Sequence, residues 1–228
     1  MKVLVIIPSY NEESCIEATV REVQKEAPWA EIVVVNDCST DSTKEILSEL
    51  GVLHLNLPVN LGIGGAVQTG YRYAAVNGHD IAVQLDGDGQ HDPKYLKELV
   101  SLVESGEADL VTGSRFIKFE GFQSSGIRRF GIKFLNAVIS LVSGVKVTDA
   151  TSGYRAVSRK LIAVYAEEYP TDYPEPEAIV MAKMHKAKIK EIPVAMRDRS
   201  GGVSSINLVK SIYYMVKVTI ALLLRRLM

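Results

Sequence analysis

Four short apolar runs in the first half of the chain each end in a cluster of polar residues or glycines. The runs cover residues 2–8, 31–35, 52–57 and 81–85, and segments of helical character separate them. Continuous apolar runs are typical of parallel strands that are buried on both faces. The alternation predicts an α/β fold with a doubly wound, mostly parallel sheet. Ligands bind such sheets beyond the carboxyl ends of the strands, which is where these polar clusters fall.

The second half of the chain has a less regular pattern. A fifth strand is predicted at 109–113, an amphipathic helix at 127–143, a strand returning to the sheet at 151–157 and a last strand at 189–195. A Pro-rich loop at 169–177 leads into a helix that ends near residue 186. With no internal repeat and no linker, we predict one catalytic domain over residues 1–205 and an amphipathic helix over 206–228.

Composition limits the class of protein and its partners. The 228 residues are 47% hydrophobic and 23% charged, which suits one folded domain with a core of its own. The net charge of −1 gives no support to a nucleic-acid partner. Cys15 and Cys38 form no C-x-x-C pair, so no metal–thiolate site is predicted. The N-terminal segment lacks the features of a secretory signal, and we expect a cytosolic location.

The C-terminal segment has the character of a membrane-interface helix. Residues 211–228 are apolar with two tyrosines and end in basic residues, but Lys217 interrupts an apolar run shorter than a spanning helix needs. We predict a helix that lies in the interface, with its basic residues toward anionic lipid. The alternative is an amphipathic helix that packs on the domain or in a dimer.

The run that ends at residue 85 is followed by Asp86-Gly87-Asp88-Gly89-Gln90. If the segment stays extended, residues two apart point the same way, so Asp86, Asp88 and Gln90 present oxygens toward one point. Mg²⁺ and Mn²⁺ take such hard oxygens and share their coordination shell with substrate phosphates. The alternative is an acidic, glycine-rich turn without a ligand.

A glycine-rich turn at residues 60–66 follows the third predicted strand. It is not a dinucleotide-binding G-x-G-x-x-G, because Val67 stands where the third glycine is needed, and the chain contains no G-K-S/T phosphate loop. Backbone amides at Asn60, Gly62 and Gly64 could still approach a nucleotide. The alternative is a tight connection between a strand and a helix.

Together these motifs resemble the family 2 glycosyltransferases of GT-A fold. The motifs occur in family order at residues 7–13 (IPSYNEE), 36–41 (NDCSTD), 60–62 (NLG), 86–91 (DGDGQH) and 113–116 (GSRF), and DATSGYR at 149–155 extends the match. Within the family the chain looks like the polyprenyl-phosphate sugar synthases, typified by dolichol-phosphate mannosyltransferase. It is more similar still to bacterial enzymes that place N-acetylglucosamine or glucose on undecaprenyl phosphate.

The resemblance implies a role for each motif on the donor side of the site. Pro8, Tyr10 and Glu12 would line the nucleoside pocket, and Asp37 would hold the base or ribose. The alternatives are that Glu12 only interacts with the positive end of a helix dipole and that Asp37 only caps the N-terminus of a helix. Asp86, Asp88 and Gln90 would hold the Mg²⁺ or Mn²⁺ that bridges the diphosphate of a nucleotide sugar.

On the acceptor side, the resemblance implies that arginines face a phosphate. Arg115, Arg128 and Arg199 are the candidates, since a guanidinium group can grip two phosphate oxygens at once. The alternative is that these arginines are solvated surface residues without a ligand.

The resemblance implies an inverting transfer from a nucleotide sugar, with a UDP-sugar as the expected donor. A phosphate acceptor is already ionised and needs no base, whereas a hydroxyl acceptor needs a carboxylate to take its proton. Asp172, with Glu177 behind it, is the candidate base, although both residues could instead bind donor hydroxyls or cap the next helix. The acidic, Pro-rich segment that contains Asp172 and Glu177 departs from the mannosyltransferase pattern. The sequence therefore does not decide between a phosphate and a hydroxyl acceptor.

The sequence is therefore compatible with three functions. The first is a polyprenyl-phosphate sugar synthase at the cytoplasmic face of the cell membrane. The second is a transferase that adds sugar to a hydroxyl of a growing cell-surface polysaccharide, and the third is a non-catalytic subunit that binds nucleotide sugars. The expected partners are a nucleotide sugar, polyprenyl phosphate and the membrane surface, with a homo-oligomer or a small membrane protein as further possibilities.

Overall fold

The computed structural model describes residues 1–118, 120–121, 126–198 and 208–227, without the side chains of residues 127, 128, 208–213 and 225–227. The strands are β1 Val3–Ser9, β2 Glu31–Asn36, β3 His54–Asn56, β4 Ile81–Gln84, β5 Leu110–Ser114, β6 Arg155–Ser158 and β7 Ile189–Pro193. The helices are α1 Ile16–Glu26, α2 Thr43–Leu50, α3 Gly62–Val76, α4 Leu96–Glu104, α5 Gly126–Ser143, α6 Arg159–Glu167, α7 Pro174–Met184 and α8 Leu208–Leu227. A 3₁₀ turn, Pro93–Tyr95, precedes α4.

The strands form one seven-stranded sheet in the order β3-β2-β1-β4-β6-β5-β7. Strands β1 to β4 are parallel to one another, and β5 is parallel to β7. Strand β6 runs antiparallel to both of its neighbours, β4 and β5. The predicted doubly wound, mostly parallel α/β sheet is therefore confirmed, with β6 as the antiparallel member.

The sheet lies between two helical layers. Leu4 and Ile6 of β1 belong to the cluster formed with α3, α5, α6, α7 and α8, whereas Val5 and Ile7 belong to the cluster formed with α1, α2 and α4. All seven residues of β1 are buried. Burial on both faces explains why this strand is a continuous apolar run in the sequence.

Three elements differ from the sequence prediction. Helix α7 begins at Pro174, so the last four residues of the Pro-rich loop predicted at 169–177 are helical. The strand predicted at 151–157 begins only at Arg155, because Ser152 and the residues around it form a loop whose carbonyl groups accept hydrogen bonds from the Arg155 side chain. Helix α6 was not predicted. Its buried residues, among them Leu161 and Tyr165, recur at helical spacing, which is the signal that could have revealed it.

Helix α8 covers most of the C-terminal segment predicted to be helical. Its residues Val218 and Leu222 are buried in the same cluster as α3 and α5, so one face of α8 packs on the domain. Across the residues the structure describes, no helix is long and apolar enough to cross a membrane. The boundary predicted at residue 205 lies outside the described residues and stays a prediction.

Candidate active site

The loops that follow β1 and β2 are bound to each other at the carboxyl edge of the sheet. Asn11, in the left-handed region at φ 55°, accepts a hydrogen bond from the Thr40 amide at 2.8 Å, and its own amide donates to Ser39 Oγ at 3.0 Å. The Glu13 carboxylate accepts a hydrogen bond from the Ser42 amide at 3.0 Å. These hydrogen bonds fix the loop after β1 relative to the loop after β2, and the two loops form one rim of the site.

The three residues predicted to line the nucleoside pocket lie on this rim with different exposure. Tyr10 is 48% exposed, whereas Pro8 and Glu12 are buried. The Glu12 amide donates to Thr43 Oγ1 at 3.0 Å, and its carboxylate accepts a hydrogen bond from the Cys15 thiol at 3.3 Å. Tyr10 is thus the one of the three whose ring is open to a ligand, and the nucleoside roles of all three stay predictions.

Asp37 holds the turn between β3 and α3. It is buried, and its carboxylate accepts a hydrogen bond from the Leu61 amide at 2.7 Å. The Asn60 side chain donates to the Asp37 carbonyl at 3.2 Å and accepts from the Gly62 amide at 3.1 Å. Burial raises the pKa of Asp37, and the backbone hydrogen bonds from Leu61 and Gly62 oppose that rise. Asp37 thus holds the Asn60–Gly62 turn and does not cap α2, whose N-cap residue is Ser42, and its contact with a base or ribose stays a prediction.

Gly64 joins this turn to the Pro-rich loop, an arrangement that the sequence did not reveal. The Gly64 amide donates to the Thr171 carbonyl at 3.1 Å. A Cβ atom at Gly64 would lie 2.0 Å from the Pro170 carbonyl oxygen and 2.3 Å from the Thr171 carbonyl oxygen. Glycine is therefore required here by the approach of another loop, whatever nucleotide the turn also contacts.

Asp86 lies just beyond the carboxyl end of β4 and is positioned by a buried histidine. Its amide donates to His91 Nδ1 at 3.0 Å, so the neutral imidazole carries its proton on Nε2, which lies 3.8 Å from Asp86 Oδ2. The His91 ring is stacked on Tyr154 with 4.8 Å between the ring centroids. His91 is thus a supporting residue of the acidic motif.

The oxygens around Asp86 fit a hard divalent cation. Asp86 Oδ1 accepts a hydrogen bond from Gln84 Nε2 at 3.2 Å, and the buried Gln84 Oε1 has no hydrogen-bond partner. The Gln90 side chain donates through Nε2 to the Arg197 carbonyl at 3.3 Å, which leaves its Oε1 as the possible ligand. Within the described ranges no three His, Cys, Asp or Glu residues form a complete metal site. Asp86 and Asp88 would therefore need the Gln90 oxygen or substrate phosphates to complete a coordination shell.

Glu175, which the sequence did not single out, lies in the first turn of α7, where its carboxyl group feels the charge of Asp86. Burial raises the pKa of Glu175 to about 6; the charge of Arg155 lowers it and the charge of Asp86 raises it. Arg155 is 1% exposed and donates to the carbonyl groups of Ser152, Glu175 and Ala150 at 2.7, 2.7 and 3.2 Å. Arg155 is the first residue of β6, and its burial arises from these contacts with distant segments.

The predicted acceptor-side residues do not form one cluster in the described part of the chain. Arg115 is buried, and its guanidinium group forms a bidentate ion pair with Asp149, with Nε–Oδ2 and Nη2–Oδ1 distances of 2.7 and 2.8 Å. Asp172 is paired with Lys217 of α8. The Arg128 side chain and all of Arg199 lie outside the described residues. The phosphate-binding roles of Arg115, Arg128 and Arg199, and the predicted roles of Asp172 and Glu177 as base or as ligands of donor hydroxyls, stay predictions.

Comparison with known proteins agrees with this geometry. Residues 4–165 match the family described as Glycosyl transferase family 2. The chain is 32% identical over 212 residues to the UDP-N-acetylglucosamine--dolichyl-phosphate N-acetylglucosaminyltransferase of Methanococcus voltae, covering 84% of each protein. It is 30% identical to the polyprenol monophosphomannose synthase of Mycolicibacterium smegmatis, over 90% of this chain and 81% of that protein.

A solved structure shares the fold. Glucosyl-3-phosphoglycerate synthase from Mycobacterium tuberculosis, crystallised with Mn²⁺, UDP and phosphoglyceric acid, superposes with a TM-score of 0.74 at 21% identity, over 99% of this chain and 78% of that one. This structural similarity, the family match and the acidic motif at the end of β4 agree with one another. The chain belongs to glycosyl transferase family 2 and is a glycosyltransferase of GT-A fold.

Proposed function

We propose that this enzyme transfers a sugar, with inversion, from a UDP-sugar to a polyprenyl phosphate, with undecaprenyl phosphate as the first candidate, at the cytoplasmic face of the cell membrane. The observation that carries the donor half is that three oxygen-bearing residues, Asp86, Asp88 and Gln90, follow β4 in one loop at the carboxyl edge of the sheet. The acceptor half is supported by the relatives, whose names specify dolichyl phosphate and polyprenol as their lipids.

In the proposed reaction, each part of the donor site has a separate task. Asp86, Asp88 and Gln90 would hold Mg²⁺ or Mn²⁺, which supplies Lewis-acid stabilisation of the departing diphosphate. Asp37 keeps the Asn60–Gly62 turn in place beside the donor through its hydrogen bond to Leu61. The ring of Tyr10 is available to pack against the base. These residues position the donor so that the anomeric carbon can be attacked from the opposite side.

The acceptor side needs positive charge and no base. The second pKa of a phosphate monoester is about 6, so the acceptor is largely a dianion at neutral pH. Arg128 and Arg199 are then the candidates for drawing it toward the donor. Arg115 would contribute only by sharing its guanidinium group between Asp149 and the acceptor, because the Nε–Nη2 edge of that group is already paired with Asp149.

One observation favours a second candidate, transfer to a sugar hydroxyl. Glu175 is an acid with its pKa raised to about 6 in the electrostatic range of Asp86, which suits a residue that accepts a proton during catalysis. Asp172, the base predicted from the sequence, is paired with Lys217 instead. For a hydroxyl acceptor, Glu175 is thus a second candidate base beside Asp172.

The test is transfer of label from a panel of radiolabelled nucleotide sugars to undecaprenyl phosphate, followed by extraction into organic solvent. We expect label in the lipid with one UDP-sugar, and its loss with EDTA or with Asp88→Asn. Glu175→Gln and Asp172→Asn distinguish the acceptors. Both variants should retain lipid-phosphate transfer, and a near-total loss in Glu175→Gln with donor binding intact would favour the hydroxyl acceptor. Label that enters only a glycan would refute the lipid-phosphate proposal.

A further inference from the structure

Arg197 connects the segment that follows β7 to the loop that carries the acidic motif. Its amide donates to the Gln90 carbonyl at 2.9 Å, and its carbonyl accepts a hydrogen bond from Gln90 Nε2 at 3.3 Å. Because a carbonyl can only accept, Gln90 must turn the NH₂ end of its side chain toward Arg197. The Oε1 atom at the other end of this amide is thereby kept available for a cation held by Asp86 and Asp88.

The Arg197 side chain holds this connection against helix α1. Its guanidinium group forms a bidentate ion pair with Glu22 of α1, with Nη1–Oε2 and Nη2–Oε1 distances of 2.7 and 2.8 Å. Nη2 also lies 3.1 Å from Oδ1 of Asp92, two residues after Gln90. The planar guanidinium group can serve two carboxylates at once, which the single ammonium group of a lysine does less well. Arg197 therefore joins α1, the acidic motif and the segment after β7 at one point.

Helix α1 also holds the acidic motif directly. Thr19 of α1 is buried, and its Oγ1 donates to the Gly87 carbonyl at 3.2 Å. Thr19 and Glu22 are three residues apart, so they lie on the same side of the helix. One side of α1 therefore fixes the motif at two points, directly at Gly87 and through Arg197 at Gln90.

We propose that Arg197 is a positioning residue for the metal site, which raises the affinity for Mg²⁺ or Mn²⁺ by holding Gln90 where its Oε1 can bind the cation. This rests on the proposed function, in which Asp86, Asp88 and Gln90 hold that cation. Arg197 itself contacts neither the cation nor the donor in this role, because its two terminal nitrogens are paired with carboxylates. Replacing a residue that orients a metal ligand from outside the coordination shell typically lowers metal affinity by about tenfold or more.

The test is calorimetric titration of Mn²⁺ into the full chain in the presence of UDP. We expect Arg197→Gln to weaken Mn²⁺ binding about tenfold. Glu22→Gln should give part of this loss, because Asp92 still pairs with Arg197, and Arg197→Lys should fall between wild type and Arg197→Gln. A loss in Glu22→Gln is informative because Glu22 acts on the metal motif only through Arg197.

The matched control is Arg159→Gln, which breaks an ion pair with Asp80 at 2.8 Å that also joins two distant segments of the chain. Asp80 precedes the amino end of β4, whereas the acidic motif follows its carboxyl end. This control should bind Mn²⁺ as the wild type does. Circular dichroism and thermal melting verify that each variant is folded.

The affinity for UDP at saturating Mn²⁺ distinguishes a positioning role from direct contact with the donor, and it should be unchanged in Arg197→Gln. A loss of this affinity in Arg197→Gln but not in Glu22→Gln would overturn the proposal, because Arg197 would then bind the donor. Unchanged Mn²⁺ affinity in Arg197→Gln would overturn it as well and leave the proposed function intact. A wild type that binds UDP but no Mn²⁺ would refute the metal-dependent donor site of the proposed function, and this proposal with it.

Discussion

Lys217 of α8 forms an ion pair with Asp172 in the loop that leads to α7. The contact is reinforced by the rings of Tyr173 and Tyr214, whose centroids lie 4.5 Å apart, and Tyr173 has a left-handed backbone at φ 55°. The same loop contacts Gly64 and leads directly into the first turn of α7, which contains Glu175. A helix that exposes an apolar face to its surroundings is therefore attached by its other side to a loop of the candidate active site.

Reversing the charge at either end of this ion pair should weaken donor binding. We expect Lys217→Glu or Asp172→Lys to lower UDP affinity by at most about fivefold, since partly exposed pairs contribute about 0.2–1 kcal/mol. The combined Lys217→Glu/Asp172→Lys variant should recover most of the loss. Isothermal titration calorimetry with UDP and Mn²⁺ measures the effect.

The control for this experiment is Lys190→Glu, which breaks a pair with Glu107 of similar exposure at a distance of 2.7 Å. It should leave UDP affinity unchanged. Additive losses in the Lys217→Glu/Asp172→Lys variant, with no recovery, would show that the ion pair does not position the loop.

The buried pair of Arg115 and Asp149 should contribute to folding more than an exposed pair does. Asp149→Ala leaves a buried guanidinium group without its partner, and we expect a loss of about 3–5 kcal/mol in unfolding free energy. Arg115→Met/Asp149→Leu should recover much of it, because neither charge is then buried. Urea denaturation measures both variants, and Arg159→Met, which breaks an exposed pair with Asp80, should cost less than about 1 kcal/mol.

The double variant also tests the acceptor role of Arg115. If it folds and transfers sugar with an unchanged KM for the lipid phosphate, Arg115 is a structural residue. A raised KM with an unchanged affinity for UDP would support the phosphate contact predicted from the sequence.

The sheet could be predicted from the sequence because its determinants are local. The runs that became β1, β2 and β4 are apolar on both faces, and each ends in a polar motif that the parallel topology brings to one edge. Asp86 and Asp37 were found for that reason. Glu175 and Arg155 were missed because their significance arises from contacts between distant segments. An acid in a Pro-rich loop and an arginine in a short strand carry no periodic signal.

The same limit applies to Asp172 and Glu175. Asp172 lies in the loop before α7 and Glu175 in the first turn of α7, and their spacing in the sequence does not reveal that Glu175 feels the charge of Asp86. The contact of Lys217 with Asp172 depends on where α8 packs, and nothing in the order of the residues reveals this.

The pKa of Glu175 predicts how stability changes with pH. The native state binds this proton more tightly than the unfolded chain, because the pKa rises from 4.5 to about 6 on folding. The contribution of Glu175 is thus fully present below pH 4.5 and is lost as the pH rises through about 6. Wild type should lose up to about 2 kcal/mol over this window, and Glu175→Gln should not.

Chemical denaturation at several pH values between 4 and 7.5 measures the difference. Glu98→Gln, at an exposed position of α4, is the control and should follow the wild-type curve. If Glu175→Gln also follows the wild-type curve, the Glu175 carboxyl is not protonated in the native state near pH 5.

The contact between Gly64 and the Pro-rich loop predicts that Gly64→Ala is destabilising and weakens donor binding. The new Cβ atom would overlap the carbonyl groups of Pro170 and Thr171, which belong to the backbone and cannot rotate away. We expect a loss of about 1–3 kcal/mol in unfolding free energy, as is typical of overpacked sites, together with weaker UDP binding because the loop moves. Gly126→Ala is the control, since a Cβ atom there meets nothing within 4 Å. A Gly64→Ala variant with wild-type stability and wild-type UDP affinity would show that the turn and the loop separate easily and that this contact does not hold the donor site together.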